Sequence, residues 1–236
     1  GLNDAGREYP MKELSAGLFF EAFNFPADHE ARKTPGVYHS KMLGPKGKRV
    51  QVIMLDTRYF RSPLPKKKIN RRSTYIPQTG PGTTMLGEAQ WKWLEAQLKK
   101  PAELRLIVSS IQILATAHRF EKWGNMPKER ARFFNLLSKT NPVPTVLFSG
   151  DRHLAEVCCL QKNKSKLPFD LYEMTASGMT HAGAPDDPDP LRVKGTYTRK
   201  TNYGLIDIEW EGRKPLVTLT IKAATGEPLT STKVAF

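Results

Sequence analysis

The chain has 236 residues, 39% hydrophobic and 25% charged, with 11 Phe, 7 Tyr and 4 Trp, enough for a packed core and too much for a disulfide miniprotein, a peptide ligand or a wholly disordered chain. Its 37 Lys and Arg against 23 Asp and Glu leave a formal charge of +14, which favours anionic partners without choosing among them. The only cysteines, Cys158 and Cys159, are adjacent, so no disulfide framework exists, and no apolar run approaches the ~20 residues that span a bilayer.

In chain order, residues 11–25 place Leu14, Leu18, Phe19, Ala22 and Phe23 at helical spacing, a stripe ended by Pro26. Residues 36–43 and 49–55 read as a strand hairpin around Gly44, Pro45 and Gly47. Residues 61–84 are rich in Pro, Gly and basic side chains and lack periodicity, which predicts a long surface loop. A helix follows at 86–99, with Leu86, Ala89, Trp93, Leu94 and Leu98 as its buried stripe. Then come a strand at 104–109, a helix at 127–138 with Pro127 in its first turn, and a strand at 144–149. Short apolar strands alternating with helices predict an α/β fold with a buried sheet.

Beyond Asp151 strands are predicted at 156–160, 171–175, 203–210 and 216–223. Alternation of Leu205, Asp207 and Glu209 with Ile206, Ile208 and Trp210 fits a sheet with one wet face. No repeat or linker divides the chain, so a single domain is expected over residues 1–236.

The sharpest local pattern is TVLFSGDRHLAE at 145–156: a strand running through Ser149 and Gly150 delivers Asp151, Arg152 and His153 at its carboxyl end, where α/β sheets hold ligands. If the backbone stays extended, Asp151 and His153 share a face and offer half of a metal site. The plain alternative makes Asp151 a turn cap, His153 a buried imidazole and Arg152 a surface charge. Asp56 and Arg58, just after a strand, suggest a buried ion pair with an architectural role, and Trp91, Trp93 and Trp123 read as packing residues. Asn3 is open between turn chemistry and a metal or phosphate contact. His118 could line a site rim or be structural, as could His181 before the loop at 182–190. Lys66, Lys67, Lys68, Arg71 and Arg72 form the densest basic cluster, either a solvated loop or a device that steers polyanions.

Taken in order, the blocks GLNDAG, PGVYHS, MLDTRYFR, TMLGEAQWKWLEAQL, SSIQILATAHRFEKWGNMPKER, SGDRHLAE, LYEMTASGMTH and NYGLIDIEW resemble the PhoD-like metallophosphatases, the alkaline phosphatase D family. The resemblance implies a calcineurin-like sandwich of two β-sheets flanked by helices. It implies hydrolysis of phosphate mono- or diesters by a metal-activated water, with iron and calcium or other divalent ions. Asp151 and His153 match the family's C-terminal metal ligands, and Arg152 and Asn3 stand as candidate phosphate or metal contacts. Gln112 takes a place where related metallophosphatases outside the family use a metal-binding His, and is not expected to be a ligand.

Members carry an aspartate-rich motif nearer the N-terminus, followed by a Trp-Asp-Asp-His-Asp-Tyr-Gly-like segment, and Gly1, Leu2, Asn3 and Asp4 look like the end of that segment. The expectation is therefore the C-terminal part of a catalytic domain, unable to complete its metal cluster alone, with a phosphorylated small-molecule or polymeric anionic substrate. A monomer is expected, and family resemblance suggests export. The competing reading is a noncatalytic basic module that binds polyanions, although no nucleic-acid recognition motif is present.

Overall fold

The computed structural model describes residues 2–140, 142–185 and 188–236. The elements in chain order are α1 (Lys12–Ala22), β1 (His39–Leu43), β2 (Val50–Met54), β3 (Lys66–Ile69), β4 (Arg72–Tyr75), α2 (Gly87–Leu98) and β5 (Leu104–Val108). They continue with α3 (Pro127–Lys139), β6 (Thr145–Ser149), β7 (Ala155–Leu160), β8 (Leu171–Ala176), β9 (Asn202–Glu211), β10 (Lys214–Ala223) and β11 (Pro228–Val234).

Six strands form one mixed sheet in the order β1-β2-β5-β6-β8-β7. Its four inner strands are parallel, and β1 and β7 close the edges antiparallel. Covered on both sides, β2, β5 and β6 are short and rich in Val, Ile and Leu, as buried parallel strands usually are. On one face Ile53, Ile107 and Leu147 meet Trp91, Leu94 and Leu98 of α2 and Phe133 and Leu137 of α3. Each such fully buried aliphatic side chain contributes roughly 1.5–3 kcal/mol relative to exposure. Trp91 and Trp123, both essentially without exposed surface, stack edge to face at 6.2 Å, so these two do serve packing.

On the other face Leu106, Val146, Val157 and Met174 meet Val217, Leu219 and Ile221 of β10, the middle strand of a three-stranded antiparallel sheet ordered β11-β10-β9. In β9, Leu205, Asp207 and Glu209 are exposed while Ile206, Ile208 and Trp210 are half-buried, which is the alternation expected of one wet face. The fold is thus an α/β sandwich of two packed sheets with a helical layer.

Three expectations need correction, and one strand has no sequence-based prediction. The stretch 61–84 is not a structureless loop: β3 and β4 pair antiparallel within it, joined by Asn70 and Arg71, both with positive φ (49° and 63°), as a two-residue twisted hairpin turn requires. The stripe on α1 does not enter the core, because only Phe20 is buried while Leu14 and Leu18 are 54% and 59% exposed along an open groove. In α2, Trp91 is the core tryptophan and Ala89 lies outside. Finally, β11 escapes the periodicity because PLTSTKV has two aliphatic residues among polar ones.

Candidate active site

The parallel order of β2, β5 and β6 brings three loops to one edge of the sheet. The loop after β2 carries Arg58 and Arg61, the loop after β5 carries His118 and Glu121, and the turn after β6 carries Asp151, Arg152 and His153. A crevice outside the carboxyl ends of parallel strands is where this architecture places ligands.

The centre of the constellation is Glu121, 1% exposed. Arg61 donates to its Oε2 at 2.6 Å, and Arg58 reaches both of its oxygens. Arg58 also lies 3.6 Å from Asp151 Oδ1. Arg61 donates to the backbone oxygens of Asp4 and Ala5 at 2.5 and 3.0 Å, and its own carbonyl accepts the Arg7 N–H at 2.8 Å. The N-terminal segment is thereby tied to the sheet edge. The Tyr75 hydroxyl donates to Asp4 Oδ2, and Lys66 Nζ stands 3.5 Å from the same oxygen.

Asp4, Glu121 and Asp151 each present a carboxylate oxygen, and these oxygens all lie within 4.8 Å of one another. Burial pushes the Glu121 and Asp151 carboxyls up from their ordinary range, opposed by Arg61 and Arg58 at Glu121 and by Arg58 at Asp151. The cluster is charge-balanced in part by its own arginines, and Asp4 and Arg58 form part of the wall of an open groove of about 880 Å³ that α1 flanks.

The turn after β6 is not extended. Asp151 and His153 have φ of 73° and 53°, left-handed values that Asp and His tolerate better than most residues, so the two-residue alternation expected for them does not apply. Asp151 joins Asp4 and Glu121. The His153 ring lies outside that group and meets the His181 ring at 4.1 Å, edge to face, while its backbone N–H donates to Ser177 Oγ at 3.0 Å. Arg152 is 5% exposed, with its guanidinium 3.9 Å from the centre of the Phe120 ring. Asn3 is exposed and donates to Asp4 Oδ2 at 3.1 Å.

The softer candidates also find their places. Asp56 and Arg58 do not form the expected ion pair with each other: Asp56 accepts the backbone N–H groups of Val37, Arg58 and Tyr59 at 2.9–3.0 Å, while the Arg58 side chain turns to Glu121. The architectural role holds for Asp56. Gln112 is fully buried and donates to Glu156 Oε1 at 2.7 Å and Thr175 Oγ1 at 2.8 Å. His118 is buried, and neither ring nitrogen has a hydrogen-bond partner among the described residues. Gly1 and part of the loop at 182–190, Asp186 and Asp187, lie outside the described residues.

Sequence reasoning did not single out Glu121 or Asp4 as members of one site. Their only signals were membership of the HRFEKWGN and GLNDAG blocks, since a single sequence does not show that residues so far apart meet.

Two packed sheets, with acidic and arginine side chains gathered where the parallel strands end, define an α/β sandwich with a charged cluster at one sheet edge. Comparison with known proteins makes this specific. The sequence profile of the PhoD-like phosphatases matches residues 19–211, and the chain belongs to that family. A solved structure described as that of PhoD superimposes with a TM-score of 0.63 at 16% identity, covering 98% of this chain and 53% of the other, so this chain spans about half the length of that structure. No curated protein sequence matches.

Proposed function

We propose that the chain contributes to a metal-dependent phosphoesterase that hydrolyses phosphate mono- or diesters, on a calcineurin-like metallophosphatase framework. The observation that carries the reading is the convergence of Asp4, Glu121 and Asp151 beside Arg58 at the sheet edge of a PhoD-like phosphatase.

The donor set fits a hard cation, because three carboxylates offer oxygen ligands close enough to share one. Glu121 is engaged by two guanidiniums, Asp4 by Tyr75, Asn3 and Lys66, and Asp151 by Arg58, so a bound cation would replace some of these partners, with Asp151 as the assigned carboxylate ligand and His153 on the same turn offering an imidazole nitrogen. Iron and calcium or another divalent ion are the metals that family resemblance suggests. Bound cations would lower the pKa of a coordinated water and hold the phosphate oxygens.

Arg58, partly exposed on the groove wall, orients a phosphate oxygen and offsets charge that develops on it. Asn3 holds Asp4 through its amide. Arg152, buried against Phe120, supplies positive charge behind Asp151. The chain supplies part of the metal cluster, as its match to about half of the PhoD structure suggests. Family resemblance also suggests export, and the protein is expected to act as a monomer.

The test is metal content by mass spectrometry, together with turnover of an aryl phosphate and a bis-aryl phosphate, for the complete protein and its Asp151→Asn and His153→Ala variants. Loss of metal and of nearly all turnover in both variants is expected. Stoichiometric metal retained in both would overturn the ligand assignment. A competing reading, a noncatalytic polyanion-binding module, would instead give salt-sensitive polyanion binding with no metal in the wild type.

A further inference from the structure

The β3–β4 hairpin carries Lys66, Lys67, Lys68, Arg71 and Arg72, and residues 61–87 contain no acidic side chain. Its strands hold these cations in fixed order. Lys66 and Lys68 lie on one face opposite Tyr75 and Ser73, and Lys67 and Arg72 lie on the other, with Arg71 at the tip. Side chains two apart along a strand repeat at roughly 7 Å, so the hairpin is a short ruler of positive charge.

Its base is tethered. The Tyr75 N–H donates to the Arg119 carbonyl at 3.0 Å, Arg119 Nη1 donates to the Ser73 carbonyl at 2.9 Å, and Asn125 Nδ2 donates to the Tyr75 carbonyl at 3.3 Å. The anchoring loop is the one that carries His118 and Glu121. At the root, Lys66 Nζ is 3.5 Å from Asp4 Oδ2 and 4.5 Å from the centre of the Tyr75 ring. The arm therefore starts at the carboxylate cluster and runs out into solvent. Lys67, Lys68, Arg71 and Arg72 are exposed, and among the described residues none of them pairs with a carboxylate. Four uncompensated cations on one short hairpin repel one another, a cost that a polyanion removes.

We infer that this hairpin is a binding arm for a linear chain of repeating phosphate groups, whose leading phosphate is presented at the carboxylate cluster beside Arg58 while those behind it follow Lys67 and Arg72 along one face towards Arg71 at the tip, with Lys68 adding positive charge from the other face. The inference rests on the phosphoesterase reading for the identity of the leading group and deepens it by naming the substrate class. The arm is built for charge and not for bases. Its one aromatic, Tyr75, is 7% exposed and covered by Lys66, so it offers no stacking platform.

The test is fluorescence anisotropy with end-labelled inorganic polyphosphate and no metal, comparing wild type with the variant Lys67→Gln, Lys68→Gln, Arg71→Asn, Arg72→Gln. Lys66 is left in place because it touches Asp4, and unchanged thermal melting shows that the variant is folded. Removing four contacts should reduce the slope of log affinity against log salt by about 3, so that wild type loses about fifty-fold more affinity than the variant between about 50 and 200 mM salt. Equal slopes in the two proteins would overturn the inference. So would competition by orthophosphate as strong, per phosphate, as that by the chain, or tighter binding of an oligodeoxythymidylate of equal charge. If wild type holds no metal and turns over neither aryl phosphate while the arm variant still loses polyphosphate, the hydrolytic reading falls and the arm stands as a binding surface.

Discussion

Arg61 has no exposed surface, and its guanidinium donates at 2.6 Å to Glu121, which is itself 1% exposed. This buried pair joins the loop after β2 to the loop after β5, and through the Asp4 and Ala5 carbonyls it also fixes the N-terminal segment. A buried ion pair is costly to break from one side only, because the surviving charge is left without a counterion.

Glu121→Gln should accordingly lower the unfolding free energy by about 3–5 kcal/mol. The double variant Arg61→Met, Glu121→Leu should recover most of that loss, since an apolar pair of similar volume removes both desolvation penalties. Urea denaturation of the three proteins checks this. A double variant less stable than Glu121→Gln would show that the hydrogen bonds to Asp4 and Ala5 outweigh the ion pair.

His118 gives a pH dependence with a definite sign. Burial, with Arg152 and Lys122 nearby, pushes its pKa down to about 2 from an ordinary 6.5. Between those values the unfolded chain binds a proton that the folded chain refuses, so stability falls as pH drops below 6.5. Each pH unit inside the window costs about 1.4 kcal/mol, or about 2 kcal/mol by pH 5. His118→Phe should flatten the stability curve between pH 5 and 6.5 by one proton's worth. Parallel curves for wild type and variant would contradict the assignment of a neutral, buried ring.

Gly87 and Gly82 both have left-handed φ, 70° and 73°, but a side chain at Gly87 would meet Phe60 at 2.8 Å whereas one at Gly82 would meet open space. Both Ala variants carry the backbone strain, of order 1–3 kcal/mol. Only Gly87→Ala adds a clash at the start of α2, so it should melt at the lower temperature, and thermal scans of the pair isolate the steric part.

Gln112→His should bind no more metal than wild type, because the neighbouring Glu156 carboxylate is held by Arg192 at 2.5 Å. Loss of the hydrogen bonds to Glu156 and Thr175 should cost about 1–3 kcal/mol. Metal analysis beside denaturation separates the two effects, and an extra equivalent of bound metal would show that the site tolerates a ligand there.

What the sequence made legible follows from range. The buried strands β2, β5 and β6 and the helices α2 and α3 announce themselves through apolar runs and Pro127, because each is defined by its own neighbours. The β3–β4 hairpin was hidden because its stability comes from the Asn70–Arg71 turn and its tether to Arg119, with Ile69 and Tyr75 its only large apolar residues. The exposed stripe of α1 misled for the converse reason: spacing shows which side of a helix is apolar and not whether anything lies against it. At the site, Asp151 was visible as a strand-end carboxylate. Its association with Glu121 and Asp4 depends on which strands are neighbours, and its departure from alternation depends on φ values that local composition does not announce.

The left-handed backbone at Asp151 and His153 decides which substitutions can be interpreted there. Asparagine occupies such a conformation as readily as aspartate, so Asp151→Asn changes charge while sparing the turn. A β-branched replacement such as valine would distort the chain itself, and its silence in an assay would report geometry instead of chemistry.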